Sequence, residues 1–173
     1  MSGASARQAW IVEQVPLAGG ERVVELGCGH GVAASLLCDR LPDGTYVGID
    51  RSPTMVAAAE RRTRAHVEAG RATFQAATVL DAVYPEEVDV VLAIHLPVLD
   101  RGDPAAELAV LRRHLAPGGR LHVGFQPLDP AAVERGIARL DDLAATHGFT
   151  LAGAVRGEPD GRPTAAVTLH PDG

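Results

Sequence analysis

The segment RVVELGCGHGVAASLLC, residues 22–38, places glycines at 27, 29 and 31 between an apolar run of strand length and an apolar run with helical spacing. A strand, a glycine-rich turn and a helix in that order build one unit of an open sheet and commonly carry a nucleotide-like ligand over the turn. The rest of the chain repeats the alternation. Strand-like runs fall at 22–27, 45–50, 72–76, 88–94 and 120–125, and helical patterns lie between most of them. This is the pattern of a mostly parallel sheet with helices on both faces.

Local signals mark the helix ends. Ser52-Pro53 caps and opens a helix that runs to Gly70, because serine accepts a free amide and proline at the first position forfeits no hydrogen bond. Asp103-Pro104 opens the next, which stops at Pro117-Gly118-Gly119, and Asp129-Pro130 opens one that stops at Gly148. After Gly148 the runs FTLAGAVRGE and PTAAVTLHP flank PDGR, a turn signal, so the chain closes in a β-hairpin. Five strands and the hairpin make a seven-stranded α/β sheet of Rossmann-like type.

At 173 residues the chain suits one domain, read as an N-terminal cap helix over 1–20 and a core over 21–173. A net charge of −6 disfavours general nucleic-acid binding. The two cysteines, Cys28 and Cys38, lie too far apart along one turn-helix unit to bridge and read as reduced thiols. There is no signal-peptide pattern and no apolar run near about 20 residues, which reads as a soluble cytoplasmic protein with no membrane contact. No pair of histidines or cysteines has metal spacing, so no metal is expected.

The glycine spacing separates ligand classes. A dinucleotide fingerprint needs a third glycine where this chain has Val32, and a branched side chain there argues against a pyrophosphate. Asp50 ends the second strand about twenty residues on, where a carboxylate accepts both hydroxyls of a ribose; that feature is common to both ligand classes.

The stretch VVELGCGHG resembles the first motif of class I S-adenosylmethionine-dependent methyltransferases. GIDRSPTMVAAA is similar to that family's second motif, LRRHLAPGGRL to the turn before its fifth strand, and the closing hairpin to its antiparallel sixth and seventh strands. The resemblance implies S-adenosyl-L-methionine as cofactor, with S-adenosyl-L-homocysteine as product and a small-molecule methyl acceptor. It implies that Gly27, Cys28 and Gly29 bring backbone groups to the methionine end, with Gly31 admitting the helix, and that Glu25 places negative charge near the ammonium. Asp50 then takes the ribose, Arg51 borders the adenine and Met55 packs beneath it, with Ile94 on the fourth strand also at the cofactor. After the third strand, where relatives carry an acid for the adenine amino group, this chain reads Ala76-Ala77-Thr78; the amides of Ala77 and Thr78, or Asp81, are left to serve.

Methyl transfer from a sulfonium needs positioning and exclusion of water, and a base only where the acceptor must lose a proton. His95, in the loop after the fourth strand, is the best-placed titratable group for that task. The cluster Arg61, Arg62, Arg64 and Arg71 reads as a solvated helix face. Cover over the site comes from Trp10, residues 95–103 and residues 126–128; with so little lid, the acceptor is small, the N-terminus folds down, or a homodimer completes the pocket. Two rivals stand beside the enzyme: a non-catalytic or regulatory S-adenosylmethionine-binding protein, and an NAD-type binding domain opposed by Val32 and the hairpin.

Overall fold

A computed structural model describes residues 3–173. Seven strands, β1 (Arg22–Leu26), β2 (Thr45–Asp50), β3 (Ala72–Ala76), β4 (Val88–Ile94), β5 (Leu115–Phe125), β6 (Phe149–Gly157) and β7 (Thr164–Pro171), form one sheet in the order β3-β2-β1-β4-β5-β7-β6. All pairings among β1 to β5 are parallel; β7 runs antiparallel to both β5 and β6. The expected closing hairpin is present, its turn a short 3-10 segment at Pro159–Gly161.

Helices α1 (Gly3–Glu13) and α2 (Val32–Cys38) cover one face, where Ile11, Val12, Val15, Leu37 and Tyr46 are buried together. On the other face α5 (Pro97–Arg101), α6 (Ala105–His114) and α7 (Ala131–His147) bury Leu99, Leu108, Leu111 and Leu140 against Val24, Leu26 and Val91. Val23 and Val24 therefore face opposite layers, as strand alternation requires. The core is aliphatic, and near-complete burial of a Leu or Ile side chain contributes about 2 kcal/mol.

Two boundaries differ from the sequence reading. The helix expected to run unbroken to Gly70 divides into α3 (Pro53–Arg62) and α4 (Arg64–Glu68). At the break the buried Thr63 hydroxyl donates to Ala59 O at 2.9 Å, a back-bond that bends helices. The fifth strand begins at Leu115 rather than Arg120, because LAPGG joins the edge of β4 through an irregularity between Val88 and Val90. Ser52 and Gly148 behave as expected: Ser52 Oγ accepts from Met55 N, and Gly148 ends α7 in the left-handed region.

The arginine cluster is no continuous face. Arg61, Arg62 and Arg64 are exposed, whereas Arg71 turns inward to donate to Leu41 O and to contact His66. His122 is buried on β5 beside the Thr168 hydroxyl, as a strand covered on both sides demands. Trp10 packs: a Cβ on Gly157 would stand 2.4 Å from its ring. Among the described residues no helix is long and apolar enough to cross a membrane.

Candidate functional site

The parallel strands β1, β2, β3 and β4 all deliver their carboxyl ends to one edge, and there a cavity of about 710 Å³ opens. Gly27, Asp50, Ala77, Thr78, His95 and Leu96 are on its wall. This is the position at which open α/β sheets hold ligands, beside the point where strand order reverses between β1 and β4.

The glycine turn spends its amides internally. Gly27 N and Cys28 N both donate to Ile49 O, at 2.8 and 3.0 Å, Gly29 N donates to Asp50 Oδ2 at 2.9 Å, and Gly31 N donates to Cys28 O at 3.0 Å. A phosphate-cradling turn aims its amides at the ligand; this one turns them to the protein. Gly31 is buried and off the cavity wall. A Cβ there would stand 2.8 Å from the Ala59 Cα, so Gly31 admits α3. Cys28 is 2% exposed and burial pushes its thiol up, which leaves it a packing residue.

Glu25 sits behind the turn rather than on the cavity wall. It is 1% exposed, and its Oε2 accepts from the Tyr46 hydroxyl at 2.5 Å. Burial, with a smaller contribution from the Asp50 charge, raises its pKa to about 8 despite the tyrosine donor. The carboxyl is thus largely protonated at neutral pH in the ligand-free protein.

Asp50 stands at the lip of the cavity. Its two oxygens accept Gly29 N and Ser52 N, both at 2.9 Å, which fixes the carboxylate across the turn and the start of α3 while leaving lone pairs toward the cavity. Arg51 lines the cavity beside it. Met55 is 41% exposed and Ile94 is buried among α1 side chains; neither is on the wall. At the thin third motif, Ala77 N is already bonded to Asp50 O at 3.0 Å, so that amide is not available. Asp81 does reach the cavity, its Oδ2 held at 2.6 Å by the Thr78 hydroxyl. Val98, within the expected cover segment 95–103, lines the cavity, as do Val79, Leu80 and Glu107, which no sequence pattern singled out.

His95 has a left-handed backbone at φ +52 and is pinned between the ends of β4 and β5: its N donates to Gly124 O at 2.9 Å. Its Nε2 lies 3.1 Å from Gln126 N. A backbone N–H only donates, so Nε2 is the unprotonated nitrogen and the neutral ring carries its proton on Nδ1. Burial, with the Arg7 charge, lowers its pKa to about 4. The lone pair that base catalysis requires is therefore already committed, and His95 offers an N–H instead.

The sequence pattern of the family described as a methyltransferase domain matches residues 23–119. The chain is 37% identical over 115 residues to trans-aconitate 2-methyltransferase of Methylobacterium nodulans, covering 65% of this chain and 41% of that protein. It is 34% identical over 116 residues to the enzyme of that name from Azoarcus sp. (strain BH72), covering 65% and 42%. The chain thus spans about two fifths of the length of these curated relatives. Magnesium protoporphyrin IX methyltransferase from Synechocystis PCC 6803, solved with bound SAH, superposes with a TM-score of 0.70 at 17% identity over 96% of this chain and 83% of that one. The [4+2]-cyclase SpnF superposes at 0.76 and 18% identity over 98% and 82%, which shows the same fold under a different reaction. With the motif match spanning more than half its length, and with the strand order, the antiparallel hairpin and the carboxyl-edge cavity in place, the chain belongs to the class I S-adenosylmethionine-dependent methyltransferase family.

Proposed function

We propose that the larger cavity binds S-adenosylmethionine and that the protein transfers its methyl group to a small organic acceptor. The observation that carries this reading is the Asp50 carboxylate at the cavity lip, beside a glycine turn whose amides at 27, 28 and 29 are all engaged within the protein. Such a turn suits the ammonium and carbonyl-seeking end of an amino acid better than a pyrophosphate. The relatives named as trans-aconitate 2-methyltransferases support the choice of reaction.

In this reading Asp50 accepts the ribose hydroxyls. Ile49, Val79 and Leu96 enclose the adenine, with Asp81 taking the amino-group role that the third motif leaves vacant. Gly27 lies under the methionine end and Glu25 supplies charge from behind. When bound, the sulfonium supplies an activated methyl; the residues around it orient, enclose and exclude water. Residues 3–20 act as the cap, with α1 packed on α2 and on the Pro159–Gly161 turn.

Calorimetry with S-adenosylhomocysteine and with NAD tests the donor. S-adenosylhomocysteine is expected to bind and NAD to leave no heat. Asp50→Ala is expected to weaken S-adenosylhomocysteine by about 3 kcal/mol, roughly a hundredfold, through loss of charge-assisted hydrogen bonds. Binding of NAD alone would overturn the reading. Tight cofactor binding with no methyl transfer to any acceptor would leave the regulatory binding protein.

A further inference from the structure

On the other side of His95 lies a second cavity of about 540 Å³, and His95 is the residue the two cavities share. Its floor includes Phe125 and Leu140, and Gln126 stands at its edge with the side-chain amide bonded to Thr164 Oγ1 at 2.9 Å. Three arginines line it: Arg101 on α5, and Arg135 and Arg139 on α7.

The charges do not cancel. Arg135 pairs with Asp129 at 2.9 Å, and Arg139 is pinned to the carbonyls of Leu99 and Gly102, which bring no counter-charge. Arg101 makes no ion pair among the described residues. The acid on the wall, Asp100, is half-buried, and burial raises its pKa against the opposing pull of Arg101 and Arg139. From the α1 side Arg7 adds its charge near His95, with a buried Nε that has no partner. His95 itself is on the wall of this cavity, and burial favours its neutral ring.

A phenol or an amine must lose a proton to react, and the imidazole lone pair at Nε2 is spent on Gln126 N. A carboxylate is ionised before it arrives and matches unpaired guanidinium donors. We propose that the second cavity receives the methyl acceptor and that the acceptor is a small carboxylic acid, methylated as its carboxylate; this rests on the larger cavity being the donor site. The carboxylate oxygen forms a bond to the methyl carbon as the carbon–sulfur bond breaks, and the pair from that bond stays on sulfur. The products are a methyl ester and the thioether S-adenosylhomocysteine, and no proton moves.

The test uses the full chain with S-adenosylmethionine, with mass spectrometry to detect products. Trans-aconitate, succinate and phenylacetate are each compared with the corresponding carboxamide, and phenol and benzylamine represent acceptors that must be deprotonated. At least one acid is expected to give a methyl ester while the amides, phenol and benzylamine give nothing, with a rate at saturating S-adenosylmethionine that changes less than threefold from pH 6 to pH 8. Arg101→Glu is expected to raise KM for that acid at least tenfold, while the calorimetric Kd for S-adenosylhomocysteine changes less than twofold and the melting temperature holds. Methylation of phenol or benzylamine, inertness of all three acids, or an unchanged KM in Arg101→Glu would each overturn the proposal. Failure of S-adenosylhomocysteine to bind the unaltered protein would instead remove the donor-site reading beneath it.

Discussion

Glu25→Gln is expected to raise the melting temperature of the ligand-free protein by roughly 5–10 °C at pH 8 and to leave it nearly unchanged at pH 4.5. The carboxyl titrates near 4.3 in an unfolded chain but at about 8 where it is buried against Tyr46. The folded state holds the proton more tightly, so this group's contribution is fully present below about pH 4.5 and is lost progressively as pH rises through the folded value. By pH 8 the penalty is on the order of 4 kcal/mol, and glutamine, which carries no charge at any pH, removes it. Thermal melts of both proteins across pH 4.5 to 8.5 check this; parallel curves would show that Glu25 does not titrate in this window. The groups facing the carboxyl are Tyr46, Cys28, Cys38 and Asp50, and burial holds the first three neutral.

The same acid couples ligand binding to protons. A cation placed over the turn favours the ionised form of Glu25, so S-adenosylmethionine affinity is expected to rise several-fold from pH 6 to pH 8 in the native protein. In Glu25→Gln that dependence is expected to vanish, with affinity fixed near the native low-pH value. Calorimetry in buffers of different ionisation enthalpy measures the proton release directly.

The second large effect separates two glycines of one motif. Gly31→Ala is expected to cost about 3 kcal/mol of stability, because the new methyl meets backbone and side chain of Ala59 at 2.8 and 2.9 Å on a left-handed residue at φ +80. Gly27→Ala, at φ +73, has only the Leu96 Cδ1 at 3.5 Å and is expected to cost about 1 kcal/mol. Gly27 lines the cavity proposed for the donor, so S-adenosylhomocysteine affinity is expected to fall at least tenfold. Chemical denaturation ranks the stabilities and calorimetry ranks the affinities. Equal stabilities would sink the assignment of Gly31 to helix packing.

The contrast shows where sequence reasoning reached and where it stopped. The strand positions and the closing hairpin were legible because burial imposes periodicity, and Ser52 and Gly148 announced helix ends through local chemistry. The break at Thr63 was hidden: it depends on a hydroxyl finding Ala59 O, which a helical spacing pattern does not reveal. The start of β5 was hidden for a similar reason, since LAPGG carries turn residues and is drawn into the sheet by β4.

At the site, the place of Asp50 at the cavity lip was legible because it follows from chain position. Glu25 was placed correctly in the motif, but its orientation away from the cavity depends on which face of β1 it occupies and on Tyr46 across the strand. The behaviour of His95 was out of reach, since its tautomer is set by an amide 31 residues away in sequence. Arg101, Arg135 and Arg139 carry no spacing signature; only the approach of α5 to α7 brings them to one cavity.

The antiparallel hairpin carries an evolutionary consequence. Because β6 runs out to the carboxyl edge and β7 returns from it, residues 158–163 emerge beside Gln126 and α1, remote from the strands that hold the donor cavity. Lengthening or recoding that turn alters the neighbourhood of the cavity proposed for the acceptor while leaving Gly27, Asp50 and their hydrogen bonds untouched. Donor chemistry and acceptor range can thus diverge independently in descendants of this sequence.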